Sequence, residues 1–169
     1  MEDIKLKTFL KKYINTKKTI LGVGPMSLNC INASNNISSK YKVPIFLICS
    51  RRQIDSEFHG GGYVNNWTTE KLNTYLKKKK NKYLILSRDH GGPWQNNLEI
   101  KKNYNIKDAM KSAKKSFEAD ILNDFKVIHI DPSLNIDNKN NLKRVTENIF
   151  ELYEYCYEFA QKKKKKNHI

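Results

Sequence analysis

Four apolar runs, each closing abruptly on a polar or glycine-rich loop, constrain the fold of this chain more than any other feature. They are TILGVG (Thr19 to Gly24), VPIFLICS (Val43 to Ser50), KYLILSRD (Lys82 to Asp89) and KVIHIDPS (Lys126 to Ser133). None alternates apolar with polar residues. Each is apolar through its middle, the pattern of strands covered on both faces of a parallel sheet. Helical periodicity lies between and after them. From Ile106 to Ile121, residues Met110, Ala113, Phe117 and Ile121 fall on one stripe, with Lys111, Lys114, Lys115 and Glu118 facing away. The segment from about Leu142 to Gln161 repeats the pattern with Val145, Ile149, Leu152, Cys156 and Phe159. Strand then helix, repeated, predicts an α/β fold of parallel βα units with right-handed crossovers.

The chain has 169 residues and 38% hydrophobic content, enough for one domain with a real core. The expected domain covers residues 1–161, with a lysine-rich tail at 162–169. No run approaches the roughly 18 to 20 apolar residues needed to cross a bilayer. The start, MEDIKLKTFLKKY, carries acidic residues and no long apolar core, so an unexported protein is expected. Cys30, Cys49 and Cys156 are odd in number and far apart, which fits neither a disulfide framework nor a zinc knuckle. A reducing cytoplasm suits them.

A formal net charge of +15 raises the question of nucleic acid. Its placement argues against it. Lys77 to Lys80 lie between a helix and a strand, and Lys162 to Lys166 lie near the C-terminus; removing the latter run lowers the charge to +10. No interleaved aromatic platform, helix-turn-helix or zinc-finger spacing accompanies the lysines. They read as solvated surface, and the bias towards Lys, Asn and Ile matches an AT-rich genome. A basic nucleic-acid-binding α/β module remains the alternative from another class.

In parallel α/β proteins, ligands bind at the carboxyl ends of the strands. Here those ends carry GVGPMS, CSRRQIDSEFHGGGY, SRDHGGPWQ and DPSLNIDN. Asp89 and His90 form an acid and imidazole pair suited to moving a proton and holding a metal or polarising a carbonyl. A solvated turn explains the same residues. Asp131 ends the fourth run and either lines a site or caps the turn before Pro132. His129, on the same strand face, reads as a packed, hydrogen-bonded histidine. The glycines of HGGGYVNNW, His59 to Trp67, either cradle a phosphate or turn tightly. Asp89, His90, Gln53 and Asp131 are expected on one rim.

Taken in order, GVGPMSLNCINASNN, ICSRRQIDSEFHGGGYVNNWT, ILSRDHGGPWQ and DAMKSAKKSFEADILNDFKVIHIDPS resemble the tagatose-bisphosphate aldolase non-catalytic subunit family, also known as tagatose-6-phosphate kinase-like. These are relatives of the metal-dependent class II aldolases. The resemblance covers about Gly22 to Gln161 and implies a (β/α)8 barrel. It implies that Asp89 transfers a proton, that His90 is a zinc ligand, and that Gln53, Asp131, Ser27 and Arg52 contact a sugar phosphate. The family's non-catalytic subunits keep the Asp-His pair and support a catalytic partner. An accessory subunit in sugar-phosphate metabolism is thus the reading, with an active metal-dependent aldolase in a full-length form as its alternative.

Four βα units are the amino-terminal half of a barrel that typically needs about 250 residues. The relatives' two other zinc histidines, and the phosphate-gripping loops of strands seven and eight, would fall in the other half. Zinc is therefore expected only in a longer form, with no better than roughly micromolar affinity here, since His59, His129 and His168 do not converge with His90. The QKKKKKNHI end corresponds to an adenine-rich tract in which reading frames slip, so four further units are expected to follow. Unpaired strand edges favour self-association, and a homo-oligomer or a catalytic aldolase subunit is the expected protein partner.

Overall fold

The structure, a computed structural model, describes residues 6–134, 136 and 142–166. Its sheet contains β1 (Leu21–Val23), β2 (Ile45–Ser50), β3 (Leu84–Gly91) and β4 (Val127–Ile130). They lie in the order β1-β2-β3-β4, each parallel to its neighbour. Every crossover therefore steps one strand along, without the reversal of a doubly wound sheet. This is the arrangement of consecutive units in a barrel.

Helices α2 (Leu28–Tyr41), α3 (Thr69–Lys79) and α5 (Ile106–Leu122) make the crossovers, and α4 (Asn97–Lys101) adds one turn after β3. Local chemistry fixes their starts. Ser27, Thr68 and Asn105 each accept a backbone N–H from the third residue on, satisfying a donor that the first helical turn leaves orphaned. The helix α6 (Leu142–Lys166) extends beyond the expected end at Gln161 and takes in the lysine run to Lys166. An additional helix, α1 (Leu6–Asn15), precedes β1 and was not expected from the sequence.

Two apolar clusters hold these layers together. Ile31 of α2, Leu47 and Cys49 of β2, Leu72 of α3 and Leu86 of β3 form one. Met110, Ala113 and Phe117 of α5 meet Leu152 of α6 in the other, against Ile128 and Ile130 of β4. The α5 stripe is thus the one the sequence predicts, although Ile121 at its end is only half-buried.

The expectation of strands buried on both faces needs correction. In β2 the residues alternate, with Ile45, Leu47 and Cys49 buried and Phe46, Ile48 and Ser50 half-buried. In β1, Leu21 is 57% exposed. Helices cover one face of these strands, while the other receives less cover from the described residues. Inward-facing apolar side chains belong to a ring that four strands do not close.

Arg88, next to Asp89 in sequence, faces the helices at 1% exposure. Its Nε and Nη2 donate to the two carboxylate oxygens of Asp120 on α5 at 2.8 and 2.6 Å. Its Nη1 donates to the carbonyls of Cys49 and Ile54. Burial opposes its charge, but the Asp120 carboxylate outweighs burial and keeps the guanidinium protonated. The pair ties β2, β3 and α5 together.

Candidate functional site

The carboxyl end of β3 is built around one extra residue. Arg88 pairs with Ile128 and Gly91 with Ile130, so three steps on β3 oppose two on β4. This is a β-bulge at Asp89 and His90, and His90 sits at φ +45°. Regular pleating would send these two neighbours to opposite faces. The bulge breaks that alternation and brings both to the rim. A positive φ costs a non-glycine residue of order 1 kcal/mol, and histidine is among those that tolerate it.

What holds His90 there is Asp131. His90 Nδ1 lies 2.6 Å from Asp131 Oδ2, and its Nε2 lies 3.6 Å from Asp89 Oδ2. Asp131 also accepts from Gln95 Nε2 at 3.2 Å and from the Ser133 N–H and hydroxyl. Its own N–H donates to the Gly91 carbonyl at 2.6 Å. The glycines allow this approach: a Cβ on Gly92 would stand 2.0 Å from the Asp131 carbonyl oxygen, and one on Gly91 would meet Phe117 at 2.4 Å.

His129 corrects the sequence reading. It is not packed away but exposed, with Nδ1 3.4 Å from Asp89 Oδ1 and its ring centroid 5.9 Å from that of His90. Two carboxylates and two imidazoles thus alternate across β3 and β4. The signal was the two-residue spacing of His129 and Asp131, which places both on one face of a strand.

Charge follows geometry. The hydrogen bond that His90 donates to Asp131 leads in raising His90 above the ordinary imidazole value; slight burial and the Arg52 charge oppose it, and the carboxylate charges add to it. Burial would raise Asp131, but hydrogen bonds from Ser133 and His90 outweigh it and hold the carboxyl below the usual range. The His90 contribution to stability is complete below its unfolded value of about 6.5 and fades as pH rises through the higher folded value. The Asp131 contribution is complete above its unfolded value near 3.9 and fades as pH falls through the lower folded one. The pair therefore supports the fold most between about pH 4 and 6.5. His90→Gln is expected to cost more stability in urea unfolding near pH 5.5 than near pH 8.5, with about 0.5–1 kcal/mol between the two gaps. An equal gap at both would contradict an ionised pair.

The other expected residues share the rim but not the cluster. Gln53, just after β2, accepts from the Ser50 N–H at 2.9 Å and reaches Met26 Sδ at 2.9 Å. Ser27 spends its hydroxyl capping α2. Arg52 is exposed, and its charge is felt at His90. Asp89, His90 and Asp131 are brought together, while Gln53 and Ser27 form a separate patch beyond β2.

The glycine loop is a tight turn. Gly60, Gly61 and Gly62 donate their amides to the carbonyls of Glu57, Ser56 and Trp67, which leaves none of the three for a phosphate. Gly60 and Gly61 have φ of +76° and +79°. His59, just before the glycines, is held in place. It is buried, between Ser56 Oγ and Ser112 Oγ at 2.7 Å each.

Arg51, beside the exposed Arg52, anchors the floor under the rim. Fully buried, it pairs with Asp55 at 3.0 Å and Glu99 at 2.7 Å, and its Nη1 donates to the Gly92 carbonyl at 2.7 Å. Burial would raise the Asp55 carboxyl, but Arg51 and the His59 hydrogen bond hold it well below the usual carboxylate range. Through Gly92 this network fixes the loop that carries His90 towards Asp131. No sequence signal distinguished Arg51 from Arg52, because burial of that side chain is decided by the fold.

Among the described residues, no three His, Cys, Asp or Glu side chains are arranged to hold a metal ion. His90 has the outline of a ligand, with the Asp131 carboxylate behind Nδ1, as metal-bound histidines commonly have. A zinc site needs about three protein ligands, so these residues do not fit one. No described helix is long and apolar enough to cross a membrane.

The chain's architecture is that of consecutive parallel βα units, and comparison with solved structures places it among barrel-like α/β proteins. It is similar to a probable tagatose 6 phosphate kinase from Sinorhizobium meliloti 1021, with TM-score 0.70 and 16% identity, over 85% of this chain and 37% of that one. It also matches a fructose-bisphosphate aldolase from Campylobacter jejuni at TM-score 0.41 and 12% identity, over 91% of this chain and 54% of that one. The second likeness is too slight to bear on the fold. The chain spans well under two thirds of either structure. No family model matches it, and no curated protein does.

Proposed function

We propose that the rim formed by Asp89, His90 and Asp131 is part of a sugar-phosphate site of the class II aldolase type, and that the chain acts as a non-catalytic partner of such an aldolase. One observation carries this reading: a bulge at the carboxyl end of β3 presents an Asp-His pair to the rim, held by an aspartate from β4. The likeness to the Sinorhizobium protein, whose printed description concerns tagatose 6 phosphate, agrees with it. In this reading Asp89 is the group that holds or moves a proton, and His90 would be one metal ligand only where further ligands joined it. Arg52 and Gln53 lie on the rim where they contact the phosphorylated substrate. The two-imidazole, two-carboxylate cluster falls short of a zinc site, which favours support of a catalytic subunit over independent aldol cleavage. Free cysteines suit a cytoplasmic setting.

The test adds the purified chain to a catalytic tagatose-bisphosphate aldolase subunit. Co-elution and a severalfold longer half-life of retro-aldol activity are expected. Neither effect at saturating chain would defeat the accessory reading. The half-buried Asp89, facing both imidazoles, favours a second reading: a longer form that is itself a metal-dependent sugar-phosphate aldolase. Such a form would carry stoichiometric zinc and lose retro-aldol activity in Asp89→Asn.

A further inference from the structure

We infer that the end of the sheet opposite the rim is a docking surface for an anionic lipid bilayer, which it meets through lysines and a few exposed apolar side chains without crossing it. The inference is independent of the proposed function and rests on three observations.

First, the fold gathers lysines at one end. Strands of a parallel sheet start, and their crossover helices finish, at the end away from the rim. There the connection into β2 carries Lys40 and Lys42, the one into β3 runs from Lys77 to Lys80, and the one into β4 carries Lys126, all exposed. Among the described residues the one exposed acid on these connections is Asp124, which Lys77 and Lys163 share at 3.2 and 3.4 Å. The rim instead mixes Arg52 with Glu57, Asp89 and Asp131. A lysine-rich composition spread evenly would not separate the two ends in this way. Further βα units beside β4 would widen the basic end and leave it uncovered.

Second, apolar side chains stand among these lysines. Tyr41 and Val43 flank Lys42, and Leu122 ends α5; Tyr41 is 62% and Leu122 54% exposed. The links 42–44, 80–83 and 123–126 are short, whereas residues 51–68 lead from β2 to α3 at the rim, so the basic end has low relief. Asn81 Nδ2 donates to the Asn35 carbonyl and the Ser38 hydroxyl at 3.0 and 2.7 Å, tying the link before β3 to α2. A firm, shallow surface carrying cations and a few apolar groups suits the headgroup layer, where charge attracts and buried apolar area holds.

Third, the chemistry fits lipid better than nucleic acid. The cations of these three connections are all lysine. They lack the planar fork with which arginine grips phosphates and base edges in pairs of bonds. Nor do the tyrosines offer free ring faces for stacking bases. Lys40 lies over Tyr41, Lys79 over Tyr75 and Lys82 over Tyr83, at 4.9–5.5 Å from the ring centroids. Lysine ammonium groups are point charges, and they respond to the diffuse potential of anionic headgroups.

Vesicle flotation tests this, because aggregated protein does not float. The wild-type chain is expected to rise with vesicles of equal parts phosphatidylserine and phosphatidylcholine at low salt, and to be released as salt is raised. It should stay behind with vesicles of phosphatidylcholine alone. Lys40→Glu with Lys78→Glu, both exposed near helix ends, is expected to weaken partitioning at least ~10-fold. Tyr41→Ser with Leu122→Ser keeps every charge and is expected to weaken it about 5-fold. Circular dichroism checks the helix content of both variants, and the two remove different chemistry, so misfolding of one leaves the other to report. A wild-type chain that ignores the mixed vesicles, binds both kinds alike, or is indifferent to either variant would overturn the inference. So would tighter binding to a single-stranded oligonucleotide than to the mixed vesicles, which would give this end to nucleic acid.

Discussion

Replacing Arg51 with alanine is expected to remove about 3–5 kcal/mol of stability, the usual consequence of leaving buried charge without its partner. Two carboxylates lose their cation at once, since Arg51 pairs with both Asp55 and Glu99, and all three side chains are buried. The Gly92 carbonyl loses its donor as well. A domain of this size has only about 5–15 kcal/mol in total, so much of the population should be unfolded in mild urea. Lysine at this position keeps the charge but not the planar fork, and should recover only part of the loss. Urea unfolding followed by circular dichroism measures both. A loss below about 1 kcal/mol for Arg51→Ala would show that the network is dispensable.

The second large effect concerns Arg88. Arg88→Ala strands Asp120 at 0% exposure and should likewise cost about 3–5 kcal/mol. The pair itself is a different matter, because two ions removed from water repay their desolvation only in part. The double variant Arg88→Met, Asp120→Leu replaces the pair with apolar groups of similar size. It is expected to recover the greater part of the loss, leaving about 1–2 kcal/mol for the orphaned carbonyls of Cys49 and Ile54. If the double variant is no better than Arg88→Ala, the carbonyl bonds matter more than the charge on Asp120.

The strands were legible because burial in a parallel sheet leaves a local mark, a short apolar run ending on a polar loop. So was the α5 stripe, which repeats at helical period. The bulge at Asp89 and His90 was not, since it exists only in the register between β3 and β4, and register is a property of two segments. Arg51 and Arg52 show the same limit. They are identical neighbours in sequence, yet one is the floor of the site and the other is exposed. Nor does local sequence reveal what encloses His59, since Ser112, which does so together with Ser56, is 53 residues distant. For His129 the spacing to Asp131 gave a correct pointer, and the reading erred by assuming that a histidine within an apolar run must be packed.

The unbroken strand order has a consequence for how the chain comes to be folded. Each βα unit packs on the one made just before it, so the contacts that define the sheet join segments near in sequence and close short loops. During synthesis, β1 and α2 can wait as a template for β2, and β2 for β3, without any strand needing a partner that the ribosome has yet to make. The growing end always presents an open edge, but that edge is filled by the next segment to emerge. Assembly of this kind is vectorial.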